Sequence, residues 1–328
     1  MTAAKLFFMR LLRRRELGLV VLTALIFGTV GFVDHRFFSW EIVLDLLVRA
    51  APTAIVACGV MLVVVTSEID ISVGSLMAFL AALMGLMISR NESCWPLAVG
   101  VPITLVLGAL MGFGTGALVT FGKVPSIIVT LGLLTALRGI TTLIMGGENI
   151  DGLPESLGRW SKQGFWGIPL NVWIAAMVIG VTGMIISHTP LGRRLFALGS
   201  SSYSARLAGL PERRLKLFVF AYTGFLTALA TVVDVPRLPK IEAGIGSDLE
   251  LLVVTCVVVG GVSISGGRGT LMGVVLAVLL MTMVRPVLTF LDVGETGEKW
   301  TKAIQGLFIV LAMVSDSIVS RRRSEVGT

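Results

Sequence analysis

Charge is scarce in this chain. Only 14% of its 328 residues are Asp, Glu, Lys or Arg, roughly half the share of an average soluble protein. A soluble domain of this size needs that charge to keep its surface wet, so the composition argues against a soluble enzyme. Cysteine is also rare. Cys58 and Cys256 sit inside apolar runs and Cys94 stands alone at a polar boundary, which makes neither a disulfide framework nor a zinc site. The two histidines, His35 and His188, fall far apart at the ends of apolar runs, so no Ser/His/Asp or metal constellation can be argued from them. No phosphate-binding P-loop is present. The nearest string, Gly266-Gly267-Arg268-Gly269-Thr270, lacks the lysine that reaches the phosphates. Gly112-Phe113-Gly114-Thr115-Gly116 lies inside an apolar run, where small residues let helices approach closely rather than cradle a dinucleotide. The chain is therefore expected to catalyse no bond chemistry and to hold no metal or cofactor.

What is abundant is apolar sequence: 55% hydrophobic residues and a mean hydropathy of +0.92. Charge-free runs cover Leu17–Val33, Ala50–Ser67, Ile71–Ser89, Ser93–Gly122, Val124–Leu137, Gln163–Ser187, Leu217–Val233, Leu251–Gly267, Gly269–Val284 and Ala303–Ser315. Most approach the roughly 17–25 residues that cross a bilayer core as a helix. Val124–Leu137 gains length by continuing past Arg138 to Met145, and Gly269–Val284 by continuing past Arg285-Pro286 with a kink. Ser93–Gly122 is long enough for one tilted helix plus a loop or re-entrant piece. The fold expected is all-α, a polytopic transmembrane bundle of about ten helices, some discontinuous or kinked. It divides into a basic N-terminus (1–16), a membrane domain (17–318) and a basic tail (319–328).

The net charge of +7 would suit nucleic acid, but its clustering does not. Lys5, Arg10, Arg13, Arg14 and Arg15 precede the first run; Arg321, Arg322 and Arg323 follow the last. Between the sixth and seventh runs lie Arg193, Arg194, Arg206, Arg213, Arg214 and Lys216, against Glu212 alone. By the positive-inside rule all three regions, and both termini, face the cytoplasm. The first run is longer than a signal-peptide core and no A-x-A-like site follows, so it reads as a retained helix. The partner of this surface is a lipid bilayer, not nucleic acid.

Three elements carry more specific information. The first is Ser67-Glu68-Ile69-Asp70-Ile71-Ser72-Val73-Gly74-Ser75, which sets two carboxylates between apolar runs. Its gap is too short for an ordinary solvated loop that also reverses the chain. A broken helix, with Asp70 or Ser72 capping the next segment, fits better and would border a translocation path. A tight turn with two solvated acids is the plain alternative. The second is Val259-Gly260-Gly261-Val262-Ser263-Ile264-Ser265-Gly266-Gly267-Arg268-Gly269, whose glycines each weaken a helix by about 1 kcal/mol. Close helix packing and direct gating both remain open for Gly260, Gly261, Ser265, Gly266 and Gly267. Laying Ile264–Gly267 over Ile71–Gly74 hints at an internal repeat. The third is the stretch 189–216, whose arginines and interspersed Leu195, Phe196, Leu198, Leu207 and Leu210 suit an amphipathic segment docking onto a soluble partner. A basic loop held by lipid headgroups is its alternative.

Together these elements resemble the permease subunits of bacterial ABC sugar importers, the group for ribose, xylose, arabinose, galactosides, rhamnose and autoinducer-2. Ser67–Ser75 is similar to the family's S-G-I-D-[LI]-S-V-G-S signature. Thr189-x-Leu191-Gly192-Arg193 with Ala205-Arg206-Leu207-x-Gly209 resembles its ATPase-contacting loop, and Val259–Gly269 its late glycine element. Glu68 departs from the pattern, standing where the family usually has glycine. The run Asp234-Val235-Pro236-Arg237-Leu238-Pro239 is also richer in proline than usual. The resemblance implies an inner-membrane permease for a monosaccharide or similar small polar solute. It implies a second permease copy or paralogue, a cytoplasmic ATPase and a periplasmic sugar-binding protein as partners. The broken-helix reading places Glu68, Asp70, Ser72, Gly74 and Ser75, with the second element's glycines and Ser265, at the pathway or its gate. Leu191, Gly192, Arg193, Ala205, Arg206, Leu207 and Gly209 go to ATPase coupling. A nucleoside, an amino acid or autoinducer-2 is the alternative cargo, and an ion-coupled transporter using Glu68 and Asp70 the alternative machine.

Overall fold

The computed structural model describes residues 15–162, 164–242, 244–291 and 296–326. Lys5, Arg10, Arg13, Arg14 and Gln163 of the sequence reading lie outside the described residues. The protein is a helical bundle: α1 (Arg15–Val33), α2 (Trp40–Val65), α3 (Val73–Ile88), α4 (Leu97–Gly122), α5 (Ser126–Met145), α6 (Glu155–Lys162), α7 (Leu170–His188), α8 (Pro190–Ser200), α9 (Ser202–Leu207), α10 (Glu212–Asp234), α11 (Leu249–Val259), α12 (Leu271–Phe290) and α13 (Gly297–Val326). The described β-structure is one two-residue antiparallel hairpin, Gly164–Phe165 with Ile168–Pro169, and an isolated bridge between Ile150 and Ile241. Among the described residues, seven helices are long and apolar enough to cross a membrane: α1, α2, α4, α5, α7, α10 and α12. The protein is a multi-pass membrane protein.

α2 is the axis of the bundle. Its span is 89% buried, against 22% or less for α1, α4, α5 and α7, so those four present most of their apolar surface outward, as lipid-facing helices do. Ile55 to Val65 of α2 pack with Val219, Phe220 and Leu226 of α10, Val253 and Val257 of α11, and Val274, Ala277 and Leu280 of α12. α4 meets α10 at backbone distance. A methyl built on Gly112 would lie 2.9 Å from Gly224 Cα, and one on Gly224 would lie 2.8 Å from Gly112 Cα. The Gly112–Gly116 string thus serves close packing, as its place in an apolar run suggests. Buried hydroxyls along these helices are satisfied locally. Thr223, Thr227 and Thr231 each donate to the carbonyl four residues back, at 2.7, 2.9 and 2.9 Å.

Several boundaries differ from the hydropathy reading. α2 begins ten residues before Ala50, because Ser39 accepts from Ile42 N–H and starts the helix at Trp40. The run from Gln163 does not open as helix: the hairpin occupies 164–169, and α7 starts only at Leu170. The run Leu251–Gly267 is helical only to Val259, because Gly260 and Gly261 end it. α5 does continue past Arg138 to Met145, and α12 past Pro286 to Phe290. α13 extends through most of the basic tail, to Val326.

α3 has 16 residues and α11 has 11, both short of the roughly 20 needed for a full crossing. Non-helical chain continues each path: 66–72 before α3 and 244–248 before α11. The first is the discontinuity expected from the sequence. The connections 66–72 and 260–270 gather with α8 and α9 at one end of the bundle, here called the basic end.

Candidate translocation site

At the basic end three chain segments lock together. Ser67, with φ of 63°, directs its hydroxyl to the carbonyls of both Gly199 (3.1 Å) and Ser265 (2.9 Å). Gly267 N–H donates to the Val65 carbonyl at 2.9 Å. The acidic element, the glycine element and the end of α8, far apart in sequence, are therefore one junction. Gly266 and Gly267 make it possible. Both have positive φ, 81° and 68°, and a methyl on Gly267 would lie 2.6 Å from Ser200 N and Cα, so only glycine fits.

From Ser67 the chain runs extended along α5. Ile69 N–H donates to Ser126 Oγ at 3.0 Å, and Thr130 Oγ1 donates to the Ile69 carbonyl at 3.4 Å. Buried Asp70 then turns the chain into α3: its Oδ1 accepts from Ser72 N–H (2.9 Å) and Ser72 Oγ (2.7 Å). Ser75 Oγ donates to the Ser72 carbonyl at 2.8 Å. Ser72 occupies the cap position of α3 but its side chain makes no cap bond. The capping expected of Asp70 or Ser72 takes the form of an Asp70 turn, because Ser72's hydroxyl is spent as a donor to the carboxylate.

Gly74 leaves room for a second helix start. A methyl on it would overlap the Glu250 carboxylate and lie 2.6 Å from the Gly246 carbonyl. Arg138 Nη1 donates to the Ile245 carbonyl at 2.8 Å, so this arginine inside α5 faces protein and holds the 244–248 segment. Two helix N-termini, of α3 and α11, meet here inside the bundle, an arrangement that broken transporter helices use to border a pathway. Gly260 packs on α12, where a methyl would lie 2.6 Å from Val274 Cα. Gly261, at φ of 92°, turns the chain out of α11.

The stretch 189–216 is mostly helical. Thr189 Oγ1 accepts from Gly192 N–H to start α8, and Ser201 Oγ accepts from Ser204 N–H to start α9, both at 3.2 Å. Leu195, Leu198 and Ala205 are buried in the chain's own core. Gly192 is buried against the carbonyls of Ile185 and Ile186, and Leu191 is half-buried. Thus Leu195 and Leu198, read from sequence as facing a partner, anchor the segment to its own bundle. Arg193, Arg206, Leu207 and Gly209 remain exposed. Lys216 on α10 pairs with Glu68 at 2.7 Å and with Glu212 at 2.9 Å, beside a cavity of about 460 Å³ that Lys123 and Arg213 also line.

A second cavity, of about 370 Å³, opens among α2, α3, α10, α11, α12 and α13, away from the basic end. Arg49, Thr53, Arg237, Asp248, Arg285 and Gln305 are among its lining residues. Arg237 pairs with Asp234 (3.2 Å) and Lys302 with Asp248 (2.9 Å). A polar hollow inside an apolar bundle can accept a hydrated, hydroxyl-rich solute.

A family model described as branched-chain amino acid transport system / permease component matches residues 42–313. The chain belongs to this permease family. The permease is 33% identical over 315 residues to the ribose import permease protein RbsC of Haemophilus influenzae, covering 95% of this chain and 94% of that one. It is 32% identical over 302 residues to the autoinducer 2 import system permease protein LsrC of Photorhabdus laumondii, covering 92% and 89%. An Escherichia coli O9:H4 protein of the same name matches at 32% over 92% of this chain and 86% of its own. Among solved structures, none matches.

The permease's second cavity was missed by reading motifs. Its signal was available: Arg49 and Arg285 are charges within or beside apolar runs, which commonly mark a cavity or a partner. Arg285 was read only as a place where a helix kinks, and Arg49, just before the run from Ala50, was given no role.

Proposed function

We propose that this permease forms the transmembrane path of an ABC importer for a monosaccharide or similar small polar solute. The observation that carries the reading is the roughly 370 Å³ cavity with Thr53, Thr282, Ser247 and Gln305 among its lining side chains. These are hydrogen-bonding partners for hydroxyl groups: Thr53 and Thr282 stand on the apolar helices α2 and α12, Gln305 on α13, and Ser247 on the connection before α11. The cavity opens on the side away from α8 and α9. In a bacterial inner membrane with both termini and the arginine-rich 189–216 stretch in the cytoplasm, it faces the periplasm, where a sugar-binding protein would deliver cargo. Arg193, Arg206, Leu207 and Gly209 then stand exposed toward a separate cytoplasmic ATPase. ATP binding and hydrolysis there would shift the inward/outward balance through contacts that differ between the two states. A second permease copy or paralogue completes the path. Asp70 and Ser72 border it from the connection before α3, Gly74 and Ser75 from the start of α3, and Gly260, Gly261, Ser265, Gly266 and Gly267 hinge it at the basic end.

A second cargo, autoinducer-2, is favoured by the relatives named for its import, whose identity and coverage nearly equal those of the ribose relative. The test is uptake into proteoliposomes holding the permease and its co-purifying ATPase. Labelled ribose, other monosaccharides and autoinducer-2 are supplied with the binding protein. ATP-dependent uptake of a sugar, competed by other sugars but not by amino acids, is expected. Uptake that needs no ATPase and collapses with a proton or sodium gradient would overturn the reading in favour of an ion-coupled transporter.

A further inference from the structure

Four charged side chains form a line at the basic end, from the α2–α3 connection to α9. Lys216 Nζ lies 2.7 Å from Glu68 Oε1 and 2.9 Å from Glu212 Oε1. The other Glu212 oxygen lies 3.8 Å from Arg206 Nε. The inner three are sheltered: the side chains of Glu68, Lys216 and Glu212 are 13%, 18% and 21% exposed. Solvent and salt therefore screen these pairs less than pairs on an open surface.

The two contacts of Lys216 differ in origin. Glu212 lies four residues before it on α10, a spacing that helix geometry pairs by itself. Nothing in α10 requires the second partner. Glu68 reaches it across the fold, from the extended segment whose neighbours are Ser67, locked to Gly199 and Ser265, and Asp70, which starts α3. Lys216 thus holds a carboxylate of the pathway segment and a carboxylate joined to α9. If either segment moved alone, one sheltered carboxylate would lose its cation, and leaving a partly buried charge unpaired is more costly than losing a surface pair.

We propose that Glu68 is a positioning residue that ties the α2–α3 connection to the α9–α10 segment through Lys216, so that the two shift together during transport. The proposal rests on the import reading above and adds the link between its two parts. It also accounts for a carboxylate at this position in chemical terms, since the cation it needs stands opposite. The ion pair acts on no cargo atom; it sets the relative placement of two segments whose differential contacts carry the coupling.

The test has two arms. In the first, hydrogen exchange is followed on the permease alone in nanodiscs, for wild type, Glu68→Gln, Glu68→Asp, Lys216→Met and the exchange of charges Glu68→Lys/Lys216→Glu. Glu68→Gln and Lys216→Met should each raise exchange at residues 68–72 and 206–216 together, on the order of tenfold, the size expected for a lost charge-assisted bond. Glu68→Asp and the charge exchange should restore much of the protection, the latter because it sets the cation between two carboxylates on α10. In the second arm, the permease with its co-purified ATPase should carry several-fold less cargo per ATP in Glu68→Gln, with the ATPase still bound. The proposal is overturned if exchange rises in one segment only, if the charge exchange restores nothing, or if cargo per ATP is unchanged. Should no ATPase co-purify with the wild-type chain, the import reading fails while the exchange arm still decides the link.

Discussion

Replacing Gly199 with alanine tests the junction at the basic end more directly than any change of charge. A methyl there would overlap the Val65 carbonyl oxygen, lie 2.6 Å from Gly267 N and lie 2.9 Å from Val65 C. All three are backbone atoms, so no side-chain rotation relieves the overlap. Ordinary contact begins near 3.4 Å, and the end of α8 must retreat by about 1 Å, at a cost of roughly 1–3 kcal/mol for overpacking a tight site. The retreat also pulls the Gly199 carbonyl from Ser67 Oγ, now 3.1 Å away, and disturbs the Gly267–Val65 bond of 2.9 Å. The assay is thermal melting of the purified permease in nanodiscs, paired with uptake. Gly180→Ala is the control, because a methyl there meets nothing within 4 Å; it should be neutral, or stabilising by up to about 1 kcal/mol from helix propensity. Gly199→Ala should melt lower and transport poorly, and adding Ser67→Ala should not rescue it. Equal melting of Gly199→Ala and Gly180→Ala would refute the packing argument.

Other consequences can be checked separately. With native cysteines removed, a cysteine at exposed Ser201 should be shielded from an impermeant thiol reagent outside intact cells, while one at Trp166, 91% exposed on the hairpin, should label; the reverse pattern would invert the orientation. Asp70→Ala deletes both bonds from Ser72, a loss of about 1–3 kcal/mol at the start of α3, and should lower uptake with membrane insertion intact. Asp70→Asn, which retains an acceptor, should do less, and normal uptake by Asp70→Ala would remove this segment from the pathway. Arg193→Glu reverses an exposed charge on α8 and should abolish ATPase co-purification without lowering the melting temperature; unchanged association would move the docking surface elsewhere.

The class of the protein was legible in sequence because it follows from local chemistry. Apolar runs near the length of a bilayer crossing have one stable use, and the arginine clusters orient them. Gly112 and Gly116 could be assigned to helix packing for the same reason, since a dinucleotide loop cannot form within an apolar run. The break before α3 could be read from Glu68 and Asp70, because two carboxylates do not sit within a continuous lipid-facing helix. The stop of α11 at Val259 was less legible: hydropathy cannot tell Gly260 and Gly261 inside a helix from glycines that end one.

Only the tertiary structure decided which of these pieces touch. Ser67, Gly199 and Ser265 share one hydroxyl's reach, yet no local pattern in any of their segments names the other two. Lys216 sits four residues after Glu212, which the sequence displays, but its other partner, Glu68, depends on how α2 and α10 cross. Leu195 and Leu198 look the same on paper whether they face a partner or their own core; burial against α2 decided for the core. The cavity lined by Arg49, Thr53 and Arg285 draws on six helices, each contributing a residue or a few. Periodicity and composition report what one segment prefers. A site assembled from single residues on separate helices leaves no periodic trace in any of them.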